Sequence, residues 1–421
     1  MDLKGIIKEQ RQELERIEQE ESLVKRDGLD GAKKFLDFPN VVAILGIHRC
    51  GKSIFSFMLA KGMRMGYVNF DDERLSELET GDLDGVLGAF YELYGDVDCV
   101  ILDEIQNIRK WELFVNRLRR TKRVILTGSN SNLLTGELST HLTGRHVDVR
   151  LFPFSFREFL AKKSFKESKA YTTKERAELL NLLRDYLQVG GFPESYKFGR
   201  VMVSGLYEDI LTKDILLRYR ISKVDELKRL AKYLVSNASQ EITYSSLSRL
   251  LGVKHVSTIS NWVGYLEEAF LVFRLERFDF SLKKQFIAPK KVYCIDTGLV
   301  NSIGFGFSEN IGRIMENAVA IELQRRKYQE NAIEVYYWKD ARQNEVDFII
   351  KKEKIITQLI QVSYANGKDE IRGREISSLV KASVALRCDN LAVITWNYES
   401  EEKTDGKKIH FVPLWKWLLG H

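Results

Sequence analysis

Short, unbroken apolar runs mark the first third of the chain. Val41 to Leu45 is one, Cys99 to Leu102 is another, and a third lies in RVILTGSNSN. Runs without polar alternation predict strands buried on both faces, as in a parallel sheet. The stretch IFSFMLAKGMRMG follows the first run at helical spacing, and MGYVNFDDERL reads as the next strand. From Ser155 to Tyr219 the pattern is helical, broken at VGGFPES, where Gly190, Gly191 and Pro193 predict a sharp turn. A short helix over Ser245–Leu251, a stop at Gly252, a longer helix over Val256–Ala269 and alternating strands from Leu271 to Phe280 then predict a winged helix. A last region, opening near Ser308, reads as the helix RIMENAVAIELQRR followed by strands IEVYYWK, EVDFII and ITQLIQVSY.

With 421 residues the chain is too long for one ordinary core. The N-terminal stretch is polar with helical spacing and lacks the apolar segment of a signal peptide, and no window has the apolar length of a membrane span. Cys50, Cys99, Cys294 and Cys388 are too scattered for a disulfide framework or a metal knuckle, so a reducing cytoplasm is the expected setting. Net charge is +6, and its distribution is uneven. Residues Lys197 to Val300 hold 17 Lys/Arg against 11 Asp/Glu, whereas the flanking parts are balanced. A basic excess confined to the middle is the footprint of nucleic-acid contact, or simply a solvated face.

The sharpest chemical signal is GIHRCGKS, which fits G-x-x-x-x-G-K-[ST] without departure. Between a strand and a helix this loop is a phosphate cradle, built from Gly46, Ile47, His48, Arg49, Cys50, Gly51, Lys52, Ser53 and Ile54. Lys52 is expected to reach the β- and γ-phosphates of ATP, and Ser53 to ligate Mg²⁺. VILDEIQN ends the next buried strand in Asp103, a second metal-shell residue, and Glu104, the residue to polarise water. Thr127, Ser129 and Asn130 close the following strand where a γ-phosphate sensor sits. Arg145, after a glycine, is the candidate arginine finger supplied to a neighbouring subunit, with Arg119, Arg120 and Arg123 as rivals. Asp71, Asp72 and Glu73 lie at the ligand-binding end of their strand, where they either join the metal network or form a plain acidic turn.

These strings, with YVNFDDERL, LTGSNSNLL, LTGR, PFSFREFL, YLQVGGFPE, KDILLRY, GYLEEAFLVF, VYCIDTGL, ENAVAIEL, NEVDFII and LIQVSYA in the same order, resemble AAA+-type P-loop ATPases of archaea and bacteria. Those proteins carry a winged helix and a C-terminal domain related to PD-(D/E)xK nucleases. The resemblance implies an α/β fold: a parallel-sheet ATPase core over 1–155 including an N-terminal helix, a helical lid over 156–222, a winged helix over 223–300 and a restriction-endonuclease-like α/β domain over 301–421. It also implies a homo-oligomer with the nucleotide site at the subunit boundary.

For the winged helix, DNA is the expected partner. Lys254, His255, Ser257, Thr258, Ser260 and Asn261 would approach base edges, and Arg277, Lys283, Lys284, Lys290 and Lys291 would hold phosphates. For the last domain, the nuclease pattern carried over by position falls on Glu316, Asp347, Gln361 and Ser363, with Glu322 on a face similar to that of Glu316. The first two match. Gln361 and Ser363 replace a carboxylate and a lysine, so the site is degenerate and no nuclease chemistry is expected. A migrated lysine, Lys339 or Lys351, has no support from spacing. The expected function is ATP hydrolysis coupled to a DNA-binding winged helix and an inactive nuclease-like domain. The alternatives are a nucleotide-gated switch for an unidentified protein partner and an ATP-regulated nuclease.

Overall fold

The computed structural model describes residues 2–20, 23–131, 142–168, 170–304, 311–329 and 332–420. The expected opening of the last domain near Ser308 and the end of LTGSNSNLL lie outside them. The chain divides into two compact units, one formed mainly by Met1–Pro153 and the other by most of the remaining residues.

In the first unit, strands β1 (Val41–Leu45), β2 (Met65–Asn69), β3 (Cys99–Asp103), β4 (Arg123–Gly128) and β5 (His146–Arg150) form one sheet in the order β2-β3-β4-β1-β5. Every pairing is parallel. All five residues of β1 and of β3 are buried, because helices cover both faces of the sheet. The register places Leu45 beside Gly128 and Arg150, and Asn69 beside Asp103, along one edge of the sheet. The chain leaves β1 for β2 at the far side of the sheet and returns through β3 and β4. The carboxyl end of β1 is therefore a topological switch point, the place where parallel sheets bind ligands. The helix Leu3–Glu20 buries Ile6 and Ile7 in this core, and its Gln10 clasps both the N–H and the C=O of Asn69.

In the second unit, β6 (Gln240–Ile242), β7 (Val272–Glu276) and β8 (Lys290–Cys294) form an antiparallel sheet in the order β6-β8-β7. Helices Tyr244–Leu251 and Val256–Glu268 lie between β6 and β7. The turn between them passes through Gly252 at φ 68, where glycine adopts the left-handed conformation without a Cβ clash. The expected strand run to Phe280 ends earlier, at Glu276. Arg277 bridges to Tyr337 and the Phe278 N–H donates to the Tyr337 carbonyl, so the chain leaves the ribbon there. A helix, Leu282–Ile287, then fills the connection to β8.

The same unit holds β9 (Ile333–Lys339), β10 (Glu345–Lys352), β11 (Ile355–Val362), β12 (Leu391–Thr395), β13 (Ser400–Thr404) and β14 (Lys407–Pro413). Their order is β13-β14-β12-β11-β10-β9. β9, β10 and β11 are antiparallel, and β12 adds parallel to β11. Helix Ile311–Gln329 precedes β9, and helix Gly373–Leu386 joins β11 to β12. Aromatic and aliphatic side chains of both sheets share one core, with Tyr293 of β8 packed against Phe348 of β10. Among the described residues no helix is long and apolar enough to cross a membrane.

Candidate functional site

The loop after β1 is shaped by contacts too close for side chains. A Cβ on Gly46 would meet the Leu151 carbonyl oxygen at 2.1 Å, so only glycine lets β1 turn beside β5. Gly51 opens the helix Lys52–Leu59 at φ 95, and Arg49 takes φ 59, a left-handed conformation that costs a non-glycine residue. Arg26 holds the loop from behind. Its buried guanidinium donates to the carbonyls of Cys50 (3.0 Å) and Phe152 (2.6 Å). No motif marks Arg26, since a lone arginine in a polar stretch has no sequence signature.

Lys52 is buried, donates to the Ile47 carbonyl at 3.3 Å and lies 3.4 Å from Glu104 Oε1. Glu104 stands at the end of β3 with φ 51. Its Oε2 accepts from the Ser129 N–H at 3.3 Å and from the Gln106 amide. Burial alone would push this carboxyl up, but Lys52, Gln106 and His48 outweigh it and hold it below the usual range. Asp103 accepts from the Tyr67 hydroxyl at 2.7 Å and from Thr127, and interacts with Ser53. Burial, then the neighbouring Glu104 charge, raise its pKa. A desolvated carboxylate raised in this way is stabilised by a cation, so Asp103 and Ser53 fit a Mg²⁺ shell. His48 Nδ1 is buried without a hydrogen-bond partner among the described residues, a polar atom left open in the phosphate cradle. Tyr67 is a further member of this network that the motif does not reveal.

Asn130 is buried just past the end of β4, on the same sheet edge. Asp72 instead pairs with Arg74 and Gln10, which hold it far below the usual carboxylate range, so it serves its own turn. The arginine candidates lie at the opposite edge. The Arg145 carbonyl accepts from Val41 at the start of β1, and Arg119 and Arg145 both donate to Asn116 Oδ1. Five residues of strand, roughly 16 Å, separate that edge from the loop of the same chain. An arginine from this edge does not reach the phosphate loop of its own chain.

Lys254, His255, Ser257 and Asn261 are exposed at the start of helix Val256–Glu268 or just before it, and Thr258 and Ser260 are half-buried. Lys283 and Lys284 are exposed, and Arg277 is half-buried. Two expected phosphate contacts are corrected. Lys290 is drawn back, donating to the Gln285 carbonyl at 2.7 Å and pairing with Glu276 at 3.2 Å. Lys291 is only 2% exposed and points the other way.

Lys291 reaches the cluster at Glu316 and Asp347. Its ammonium lies 3.0 Å from Glu316 Oε1, 3.1 Å from Asp347 Oδ1 and 2.7 Å from Glu345 Oε1. Tyr293, on the same face of β8, donates to Glu316 Oε1 at 2.8 Å. Gln361 Nε2 and the Val362 N–H both donate to Asp347 Oδ2, at 2.6 and 3.0 Å. Burial pushes Glu316 up to about 7, with the Asp347 charge adding to it, and burial also raises Asp347. Burial opposes the Lys291 ammonium, yet Glu316 and its neighbours keep it well above the usual lysine range. Glu316, Asp347, Gln361 and Ser363 are all largely withdrawn from solvent. The expected similar face for Glu322 is corrected: six residues along a helix rotate it well away from Glu316, and it pairs with Arg325 and Arg326. Lys339 bridges Glu241 and Glu345, and Lys351 pairs with Glu334, so neither is the central cation. The metal implied for such a domain does not fit here. An ammonium already occupies the carboxylates, and among the described residues no group of three or more His, Cys, Asp or Glu side chains is arranged to hold an ion.

Comparison with known proteins places the chain in a lineage. An AAA domain model matches residues 39–160, and two models for domains of unknown function, DUF8612 and DUF4143, match 180–310 and 311–417. An uncharacterized protein of Haemophilus influenzae is 28% identical over 407 residues, covering 92% of this chain and 96% of that protein. Among solved structures, a Walker-type ATPase of Pyrococcus abyssi shares 14% identity at a TM-score of 0.41, over 67% of this chain and 96% of that one. AMPPCP-bound DnaA of Aquifex aeolicus shares 17% identity at 0.27, over 58% and 90%. An uncharacterized protein of Methanocaldococcus jannaschii is 35% identical over 403 residues, 90% of this chain and 89% of the relative, so the chain belongs to the family of that archaeal protein and carries an AAA domain, that of an ATPase.

Proposed function

We propose that the chain hydrolyses ATP and passes its nucleotide state to a DNA-binding winged helix and a catalytically silent nuclease-like domain. The carrying observation is the Glu104 carboxylate, 3.4 Å from the Lys52 ammonium on the edge of a parallel sheet. The loop from Gly46 to Ile54 and the N-terminus of its helix offer backbone N–H groups to the phosphates. Lys52 exchanges Glu104 for a phosphate oxygen, and Ser53 and Asp103 hold Mg²⁺. When bound, that ion neutralises charge on the phosphates. Glu104, released from Lys52, orients and deprotonates the attacking water. Asn130 reads the γ-phosphate, and Arg145 of an adjacent subunit in a homo-oligomer stabilises the charge that develops.

Exposed Lys254, His255, Lys283 and Lys284, with the basic excess of the middle third, support DNA as the partner. A protein partner is favoured by a different observation. Phe280, Leu282, Phe286 and Ile287 are 80%, 65%, 68% and 75% exposed around the same helix. A cluster of that size is the mark of a docking surface. Steady-state hydrolysis with and without duplex DNA separates the readings, with Glu104→Gln as the blank. DNA stimulation together with steep salt dependence of binding supports the DNA reading. Hydrolysis indifferent to DNA refutes it and leaves the protein-partner switch.

A further inference from the structure

We infer that Lys291 is a built-in cation that takes the place of a metal between Glu316 and Asp347, pins the β6-β8-β7 ribbon to the C-terminal sheet, and leaves this domain independent of divalent ions. The inference stands apart from the ATPase reading, because the cluster lies wholly in the second unit and involves no nucleotide.

Three features carry it. The first is occupancy. One ammonium contacts three carboxylates at 2.7 to 3.1 Å and is almost fully enclosed. A divalent ion held by the carboxylate oxygens that Lys291 already contacts would meet strong like-charge repulsion from the ammonium. A hard ion also seeks about six oxygen ligands. Here Asp347 Oδ2 is committed to Gln361 and Val362, and Glu316 Oε1 to Tyr293 and Lys291.

The second feature is where the cation comes from. Lys291 belongs to the ribbon, not to the sheet that holds Asp347 and Gln361. The ribbon is fixed to that sheet and its helix on both sides of the lysine. Asn317 accepts from the Cys294 N–H at 2.8 Å and donates to the Cys294 carbonyl at 3.0 Å. Ser239 donates to the Arg313 carbonyl, and the Tyr337 hydroxyl donates to the Pro289 carbonyl. The third feature is continuity of charge. Lys339 joins Glu241 of β6 to Glu345 of β10, and Glu345 in turn contacts Lys291. Cations and carboxylates therefore alternate from ribbon to sheet.

The test is Mn²⁺ binding and thermal unfolding of the full chain, nucleotide-free, with EDTA or millimolar Mn²⁺. Wild type is compared with Asp347→Asn, Lys291→Ala and the double variant. Any Mn²⁺ held weakly at the P-loop is common to all four and cancels. Wild type and Asp347→Asn are expected to bind the same amount of Mn²⁺, and the wild-type Tm to be unmoved by it. Lys291→Ala is expected to melt several degrees lower in EDTA, to recover in Mn²⁺, and to take up about one additional ion per chain that the double variant loses. The freed carboxylates, with Gln361 Oε1, which has no hydrogen-bond partner among the described residues, supply that site. A stoichiometric ion on wild type that Asp347→Asn removes overturns the inference. So does a Lys291→Ala variant with wild-type Tm and no added Mn²⁺. If Lys291→Ala does not fold, the wild-type and Asp347→Asn pair still decides.

Discussion

Replacing Glu104 with glutamine should uncouple binding from turnover in opposite directions. In the free protein the Glu104 carboxylate competes with the incoming phosphate for Lys52, 3.4 Å away. Both groups are largely buried, with side-chain exposures of 5% for the lysine and 13% for the glutamate. At an effective dielectric near 20, charges at that separation attract by about 5 kcal/mol. Lys52 also keeps the Ile47 carbonyl, and a glutamine retains a dipole in the same place, so only part of this is released. A gain of about 1 to 2 kcal/mol is reasonable, which tightens ATP about 5- to 30-fold. Turnover should fall by about 10² to 10⁴, the usual worth of a general base. In the nucleotide-free protein Lys52 and Gln106 hold Glu104 below the usual carboxylate range against burial, so it is ionised when ATP arrives. Titration with a fluorescent ATP analogue and a phosphate-release assay give both quantities on one preparation. Weaker nucleotide binding in Glu104→Gln, or turnover within tenfold of wild type, would refute the assignment of Glu104 as base and Lys52 partner.

Two further changes probe the groups behind the site and the second unit. Tyr67→Phe keeps the ring but removes the hydroxyl that donates to Asp103 at 2.7 Å. The Mg²⁺ concentration for half-maximal hydrolysis should rise about tenfold, as when a partner behind a metal ligand is lost, while metal-free nucleotide binding stays constant; an unchanged Mg²⁺ requirement would show that Tyr67 only fills space. Asp296 is buried, accepts from the Gly191 N–H at 2.6 Å and from the Leu299 N–H at 3.2 Å, and burial raises its pKa to about 6. A carboxyl raised from 3.8 to about 6 contributes stability that is fully present below pH 3.8 and is lost as pH rises through 6, about 3 kcal/mol in all. Asp296→Asn should therefore gain on wild type, in ΔG of unfolding, between pH 4 and pH 7. A stability difference that is flat across that window would mean Asp296 stays ionised throughout.

The parallel strands and the phosphate loop are legible in the sequence because each rests on a local pattern. β1 and β3 are buried on both faces, so their apolar runs are unbroken and need no context. The loop motif records a covalent spacing that the fold cannot alter. Arg26 and Tyr67 act on that site through contacts distant in sequence, and neither belongs to a pattern. The end of β7 is hidden because alternation continues past Glu276, while Phe278 alternates into a different core, with Trp338 and Ile349. Lys290 and Lys291 look like two phosphate ligands, although adjacent residues of a strand point to opposite faces. Tyr293 shares a face with Lys291, and Val292 and Cys294 share the other with Lys290, all three buried, so the sequence KKVYC separates the two lysines without showing which of them is enclosed. It does not reveal the carboxylates on the inner side.

That inner side changes the meaning of Gln361 and Ser363. In the nuclease pattern proposed for this domain from its sequence, three carboxylates and one lysine leave a net charge of −2, which a divalent ion balances. Here the glutamine removes one negative charge and the serine removes the positive one. Glu316 and Asp347 alone would again leave −2 in a buried centre. Lys291 reduces that to −1, and Lys339 offsets Glu345 beside it. Glu316, raised to about 7 by burial and by Asp347, then carries its proton for part of the time near neutrality, which brings the centre close to electrical balance without a metal. A carboxylate at position 361 would undo this by adding a charge that one ammonium cannot match. The two departures and Lys291 therefore describe one rearrangement, in which a monovalent side-chain cation suits a centre with one acid fewer. Gln361→Glu alone should lower the Tm of the chain and produce no cleavage of DNA, and Gln361→Glu combined with Lys291→Ala should recover stability only when a divalent ion is present. A Gln361→Glu variant as stable as wild type in EDTA would show that the centre tolerates the extra charge and that the glutamine is incidental to it.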